Sequence, residues 1–203
     1  AELLPVGRRH GSGVAVYRLH AGVLARARAG KRVVRLKSGD PVLFGRGGEE
    51  AEELTEEGIA FEIVPGVSAA FGAAASAHIP LTHRDYASDV VFVTGHDAGG
   101  SLTSKSDWEH LAAGQGTMVL YMAARKLQAN VDRLIAGGRS ADTPAAYIAS
   151  ATRSDQRVIV GTLADIAGKT AGVDRNAPAL LIVGEVVRLR ERLEAIDAAL
   201  LAS

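Results

Sequence analysis

Ser38-Gly39-Asp40-Pro41, followed by Phe44-Gly45-Arg46-Gly47-Gly48-Glu49-Glu50, is the densest run of chemistry-bearing residues in the chain. Gly39 lacks a Cβ, so the backbone can turn there or let a ligand come close. Asp40 stands just past the apolar stretch Val33–Leu36, at the carboxyl end of an expected strand, where open α/β sheets bind ligands. Pro41 stops the strand because it has no N–H for a ladder. Glu49 and Glu50 open a helix, where acidic side chains suit the positive end. Arg46 lies between glycines with Glu49 within one turn. It can grip an anion with its planar fork, or simply pair with Glu49 or Glu50 at the surface. An ordinary strand–turn–helix joint would also carry such residues, so the local chemistry marks a ligand site without naming the ligand.

The elements around this run alternate between strand and helix, which predicts an α/β fold with mainly parallel sheets and crossover helices. The pattern predicts helices over 14–29, 48–57, 68–77, 106–113, 124–137, 162–168 and 187–201. Strands are expected over 32–37, 60–64, 89–94, 117–122, 144–150, 156–161 and 178–184. Ile79-Pro80-Leu81-Thr82 reads as a hinge, since proline interrupts both flanking patterns. This divides the chain into lobes 1–81 and 82–203. The glycine- and serine-rich stretch 97–106 reads as a mobile loop.

Composition narrows the function. The chain has 203 residues, 47% hydrophobic and 23% charged, as in globular proteins. Lys+Arg and Asp+Glu both number 23, so no global field recruits nucleic acid or a membrane surface, and an anionic substrate must be met by local arginines. Absence of cysteine excludes disulfides, thiolate catalysis and cysteine-bound metal, and suits the cytoplasm. The six histidines show no zinc-type spacing, so no metal is expected. No apolar run approaches a membrane span. The basic run Arg26, Arg28, Lys31, Arg32 and Arg35 points in several directions and reads as a solvated face rather than a nucleic-acid patch.

Longer strings carry a resemblance. Residues 31–50, Val64-Pro65-Gly66-Val67-Ser68-Ala69-Ala70, Ile79–Ala87, Val93-Thr94-Gly95-His96, Leu120-Tyr121-Met122, Ala151–Val158 and Pro178–Val187 are together similar to the uroporphyrinogen-III C-methyltransferases, a branch of the tetrapyrrole methyltransferases. The resemblance is collinear from about residue 30 to about 190. It implies a two-lobed fold, with a mainly parallel sheet in the first lobe, a mixed sheet in the second and a cofactor cleft between them. It also implies S-adenosylmethionine as cofactor, a tetrapyrrole substrate converted to precorrin-2, and a homodimer. Leu189, Leu193, Ile196 and Leu200 supply a helix face that could pack across such a dimer or against the parent lobe.

Carried onto this sequence, the resemblance implies cofactor contacts at Ser38, Gly39, Asp40, Leu43, Ser68, Ala69, Met122 and Ala151. It implies substrate contacts at Arg46, Glu49, Arg84 and His96, with Arg46 the candidate for catalysis; His83 and Arg153 are weaker candidates. Taken singly, Ser68 could be a helix cap and Met122 core filler. Ser38 replaces the family's usual glycine and would be strained if that position needs positive φ. The family's opening strand and Gly-x-Gly-Pro-Gly-Asp-Pro loop have no counterpart here, and Arg8 falls where the family has lysine. Three readings stay open: this methyltransferase, a related one with another acceptor, and a cofactor-binding or dimerising remnant without turnover.

Overall fold

Val33-Val34-Arg35-Leu36 has the composition of a strand, yet neither it nor Phe61–Val64 joins a sheet. β-Branched residues favour extended backbone, but a strand forms only when a neighbour takes up its N–H and C=O groups. Among the described residues neither segment has that neighbour, so the expected strands 32–37 and 60–64 and the parallel sheet of the first lobe are not found there. Val34, Leu36 and Val64 are correspondingly 73%, 79% and 70% exposed. A computed structural model describes residues 1–6, 19–95 and 108–201, with side chains through 195. It resolves into two compact units, Ala1–Ser68 and Ala69–Ser203.

In the first unit, α1 (Ala21–Arg28) starts at His20, whose Nδ1 accepts the Gly22 N–H at 3.1 Å. Val23 and Leu24 face inward with Leu19 and pack on Leu4, Val6, Val33, Leu54 and Ile59. Leu54 belongs to α2 (Gly47–Glu56). The neighbouring Glu53 is buried, and its carboxylate accepts the Leu19 N–H at 2.5 Å. The basic run is met by acids of the same unit: Arg26 pairs with Glu2, Arg28 with Glu57 and Arg35 with Glu50.

The second unit contains α3 (Ala69–Ser76), β1 (Val90–Thr94), α4 (Trp108–Ala113), β2 (Thr117–Tyr121), α5 (Leu127–Ala136), β3 (Pro144–Ala149), β4 (Arg157–Thr162), α6 (Ile166–Lys169), β5 (Ala179–Val183) and α7 (Leu189–Leu201). Short 3₁₀ turns at Ala124–Lys126 and Glu185–Arg188 lead into α5 and α7. The five strands form one sheet in the order β1-β2-β5-β3-β4, with only β1 and β2 parallel. This is the expected mixed sheet. Its central strands are almost entirely buried and apolar on both faces. One face packs Met118, Leu120, Tyr147, Leu181 and Val183 against Leu127, Val131 and Leu134 of α5 and Ile166 of α6. The alternate residues Val119, Ile148 and Ile182 are also fully buried. Among the described residues no helix is long and apolar enough to cross a membrane.

Candidate functional site

Within the first unit, Asp40 is the hub of its loop. One carboxylate oxygen accepts the Val42 N–H at 2.9 Å and the other accepts the Gly66 N–H at 3.1 Å. Backbone amides of Val42, Gly66 and Leu43 hold its carboxyl below the ordinary value, since they bond to the ionised form. Gly66 presses on the same turn: a Cβ there would lie 2.6 Å from the Gly39 carbonyl oxygen. Positive φ falls on Gly39, at 82°, and Ser38 is not among the positive-φ residues. The expected strain at Ser38 is therefore absent, because the neighbouring glycine makes the turn.

The loop then folds back on Pro41. Gly47 donates its N–H to the Pro41 carbonyl at 2.9 Å, and a Cβ on Gly45 or Gly47 would meet that oxygen at 2.5 Å. Arg46, between them, has φ 60° and caps α2 in the left-handed region. Its Nε lies 3.9 Å from a Glu49 carboxylate oxygen, with both side chains substantially exposed. Glu50 faces elsewhere, accepting from Lys37 Nζ at 2.8 Å and from Arg35 at 3.4 Å.

In the second unit the sheet gathers a different set. β1 runs parallel to β2, and β2 and β3 both run antiparallel to β5 between them. The carboxyl ends of β1, β2 and β3 therefore share one end of the sheet. Thr94 pairs with Tyr121, Tyr121 with Leu180 and Leu180 with Ile148, so Gly95, Met122 and Ser150-Ala151-Thr152 all lie just past one row. At normal strand spacing the β2 and β3 ends are about 10 Å apart. Met122, Ser150 and Thr152 have φ of 55°, 50° and 67°, an unfavourable backbone for non-glycine residues that tends to collect at functional sites. The Tyr121 hydroxyl accepts the Ala70 N–H at 3.0 Å, which fixes the first turn of α3 at this end. Gln156 accepts the Thr152 N–H at 2.6 Å and donates to the Ser76 carbonyl at 3.1 Å, fastening the β3–β4 loop to the other end of α3.

The predicted residues thus fall into two groups. Ser38, Gly39, Asp40, Leu43, Arg46 and Glu49 lie on one loop and the start of α2, and Ser68 is a buried residue closing the first unit. Ala69, Met122 and Ala151 belong to the sheet-end group, with Met122 half exposed. Arg84 sits exposed in a tight turn where His83 and Ala87 exchange backbone hydrogen bonds of 2.9 and 3.0 Å, ahead of β1. His96 and Arg8 lie outside the described residues, as does the 97–106 loop. Lys37, Gly66, Tyr121 and Gln156 carry these loops but are not among the expected site residues. The Lys37–Gly45, Gly66–Asp40, Tyr121–Ala70 and Gln156–Ser76 bonds span 8 to 80 positions, so no local pattern marks them. An open apolar hollow of about 430 Å³, lined by Phe71, Ala74, His78, Ile79, Leu81 and Leu193 among others, contains none of the expected site residues.

Residues 14–167 match the family model described as Tetrapyrrole (Corrin/Porphyrin) Methylases. A siroheme synthase of Pseudomonas fluorescens is 50% identical over 200 residues, which is 98% of this chain and 43% of that protein. One from Stutzerimonas stutzeri is 56% identical over 167 residues, 82% of this chain and 36% of the relative. The chain thus spans less than half the length of these relatives. Among solved structures, the uroporphyrin-III C-methyl transferase of Thermus thermophilus complexed with S-adenyl homocysteine matches at a TM-score of 0.71 and 36% identity, over 82% of this chain and 71% of that one. A cobalt precorrin-4 methyltransferase matches at a TM-score of 0.72 and 30% identity, over 81% and 68%.

Proposed function

We infer the reaction of this chain from its family and from the groups its loops present. The chain belongs to the tetrapyrrole (corrin/porphyrin) methylases, enzymes that transfer methyl groups from S-adenosylmethionine. Within that family the best-supported reading is C-methylation of uroporphyrinogen III to precorrin-2, on the route to sirohaem or cobalamin. The observation that carries it is the 36% identity to the Thermus uroporphyrin-III C-methyl transferase over 82% of the chain.

The residues present fit the methyl donor. Asp40 accepts from the loop amides of Val42, Gly66 and Leu43, and a carboxylate has about four acceptor sites, which leaves capacity for an amino or hydroxyl group. Ala69 and Ala151 leave backbone amides and carbonyls approachable beside the half-exposed Met122 thioether. When bound, S-adenosylmethionine supplies an electrophilic methyl on a positive sulfur, whose charge disappears during transfer, so orientation and exclusion of water favour the step. The acceptor carries eight carboxylates. Arg46 is suited to hold one of them through its planar fork. Arg84 is suited to a second carboxylate. A homodimer in the cytoplasm belongs to the same reading.

The likeness to a cobalt precorrin-4 methyltransferase, 30% identical over 81% of the chain, favours a second reading with a later, already methylated acceptor. Transfer of labelled methyl to each acceptor class separates the two. Uroporphyrinogen III should be labelled and the later corrinoid precursor should not; the reverse would overturn the first reading.

A further inference from the structure

We infer that Lys37 is a positioning residue that presents Arg46, acting on it through two separate contacts. This rests on the reading of Arg46 as the substrate-holding arginine.

Lys37 follows the apolar run Val33–Leu36, and only 13% of its side chain is exposed. Its ammonium donates to the Gly45 carbonyl at 2.5 Å and to Glu50 Oε1 at 2.8 Å. The first contact fixes the peptide immediately before Arg46. On the far side, the Gly47 N–H is held by the Pro41 carbonyl at 2.9 Å. The two peptides that flank Arg46 are thus each held by a hydrogen bond, which keeps an arginine at φ 60°, a conformation an isolated arginine would leave. Glycines at 45 and 47 are required for the grip, because any Cβ would strike the Pro41 oxygen.

The second contact concerns charge. Glu50 lies within one turn of Arg46 and would attract its guanidinium. Lys37 and Arg35 both engage the Glu50 Oε1 oxygen instead. The Arg46 Nε stands 3.9 Å from a carboxylate oxygen of the exposed Glu49, and exposed pairs of this kind are worth little. Lys37 therefore both sets the backbone of Arg46 and occupies the carboxylate that would draw its side chain away. Lysine suits the task because its compact ammonium has three donors, enough for a carbonyl and a carboxylate at once.

The test compares the intact protein with Lys37→Met, Lys37→Arg, Lys37→Met/Glu50→Gln, Arg46→Lys and Lys37→Met/Arg46→Lys. Without cofactor or substrate, limited trypsin cleavage of the Arg46–Gly47 bond should be about tenfold faster in Lys37→Met, as expected when a hydrogen bond from a charged group is lost. Cleavage at the wild-type rate would overturn the grip. In turnover, Lys37→Met should lower kcat while S-adenosylhomocysteine affinity stays unchanged. Lys37→Arg should restore part of the loss, and Glu50→Gln in the Lys37→Met background should restore part by removing the competing carboxylate. Adding Lys37→Met to Arg46→Lys should cost little more. Additive losses, or a parallel fall in S-adenosylhomocysteine affinity, would show that Lys37 does not act through Arg46. Failure of the Arg46 reading is a different result: Arg46→Lys alone would then turn over like wild type.

Discussion

The Asp40 carboxylate accepts the Gly66 N–H at 3.1 Å, across 26 positions of sequence. This bond, with the close approach of Gly66 to the Gly39 carbonyl, makes the Gly39–Asp40 turn and the Pro65–Gly66 turn one assembly. A cofactor group resting on either turn is then held by both.

Gly66→Ala tests that assembly. The new methyl would sit 2.6 Å from backbone that cannot swing aside, so the turns must separate at an expected cost of about 1–3 kcal/mol. Chemical denaturation should report the loss, and calorimetry should show weaker S-adenosylhomocysteine binding. Wild-type values for both would show that the two turns are not coupled.

The same bond sets a pH dependence. Amides of Val42, Gly66 and Leu43 hold the folded carboxyl of Asp40 below its ordinary value. A depressed carboxyl contributes stability that is fully present above its unfolded value and is lost as pH falls through the folded one. Asp40→Asn removes that contribution. The wild type should therefore lose part of its stability margin over the mutant as pH drops below about 4, in urea titrations at stepped pH. A margin that stays constant through this window would contradict the assignment.

Thr152 offers a test in the opposite direction. A β-branched residue at φ 67° is costly, so Thr152→Gly should stabilise the second unit by about 1 kcal/mol. For a chain of this size that raises the melting temperature by roughly 2–4 °C. If the strained loop serves the cofactor, S-adenosylhomocysteine affinity should fall although stability rises. A stability gain with unchanged affinity would make the strain merely structural.

Much of this arrangement was legible in the sequence. Strands β1 to β5 fall within a residue or two of their expected positions because each apolar run found a partner that its pattern suits. The 32–37 and 60–64 runs read the same way and form no strand, since apolar patterning specifies extended backbone but not a neighbour to bond. Gly39, Asp40 and Arg46 announced themselves by residue type and spacing. Lys37 and Tyr121 did not, because a lysine in a basic run and a tyrosine in an apolar strand look like surface and core. Their roles appear only when Gly45 and Ala70 arrive beside them.

Arg46→Lys separates substrate handling from cofactor binding. Lysine keeps the charge and loses the planar fork, so kcat should fall about tenfold or more, roughly 1.4 kcal/mol of transition-state stabilisation. S-Adenosylhomocysteine affinity should be unchanged. Arg84→Ala should instead raise KM for the tetrapyrrole more than it lowers kcat. Wild-type turnover in Arg46→Lys would place this arginine in the solvated surface with Glu49.

Methyl transfer to the carbon skeleton of uroporphyrinogen III leaves a change in mass. The most direct measurement incubates the intact protein with uroporphyrinogen III and S-adenosylmethionine carrying a deuterated methyl, then weighs the tetrapyrrole by mass spectrometry. The tetrapyrrole should gain two deuterated methyl groups, both bound to carbon, with one S-adenosylhomocysteine released for each. A tetrapyrrole of unchanged mass, recovered from protein that binds S-adenosylhomocysteine, would contradict it.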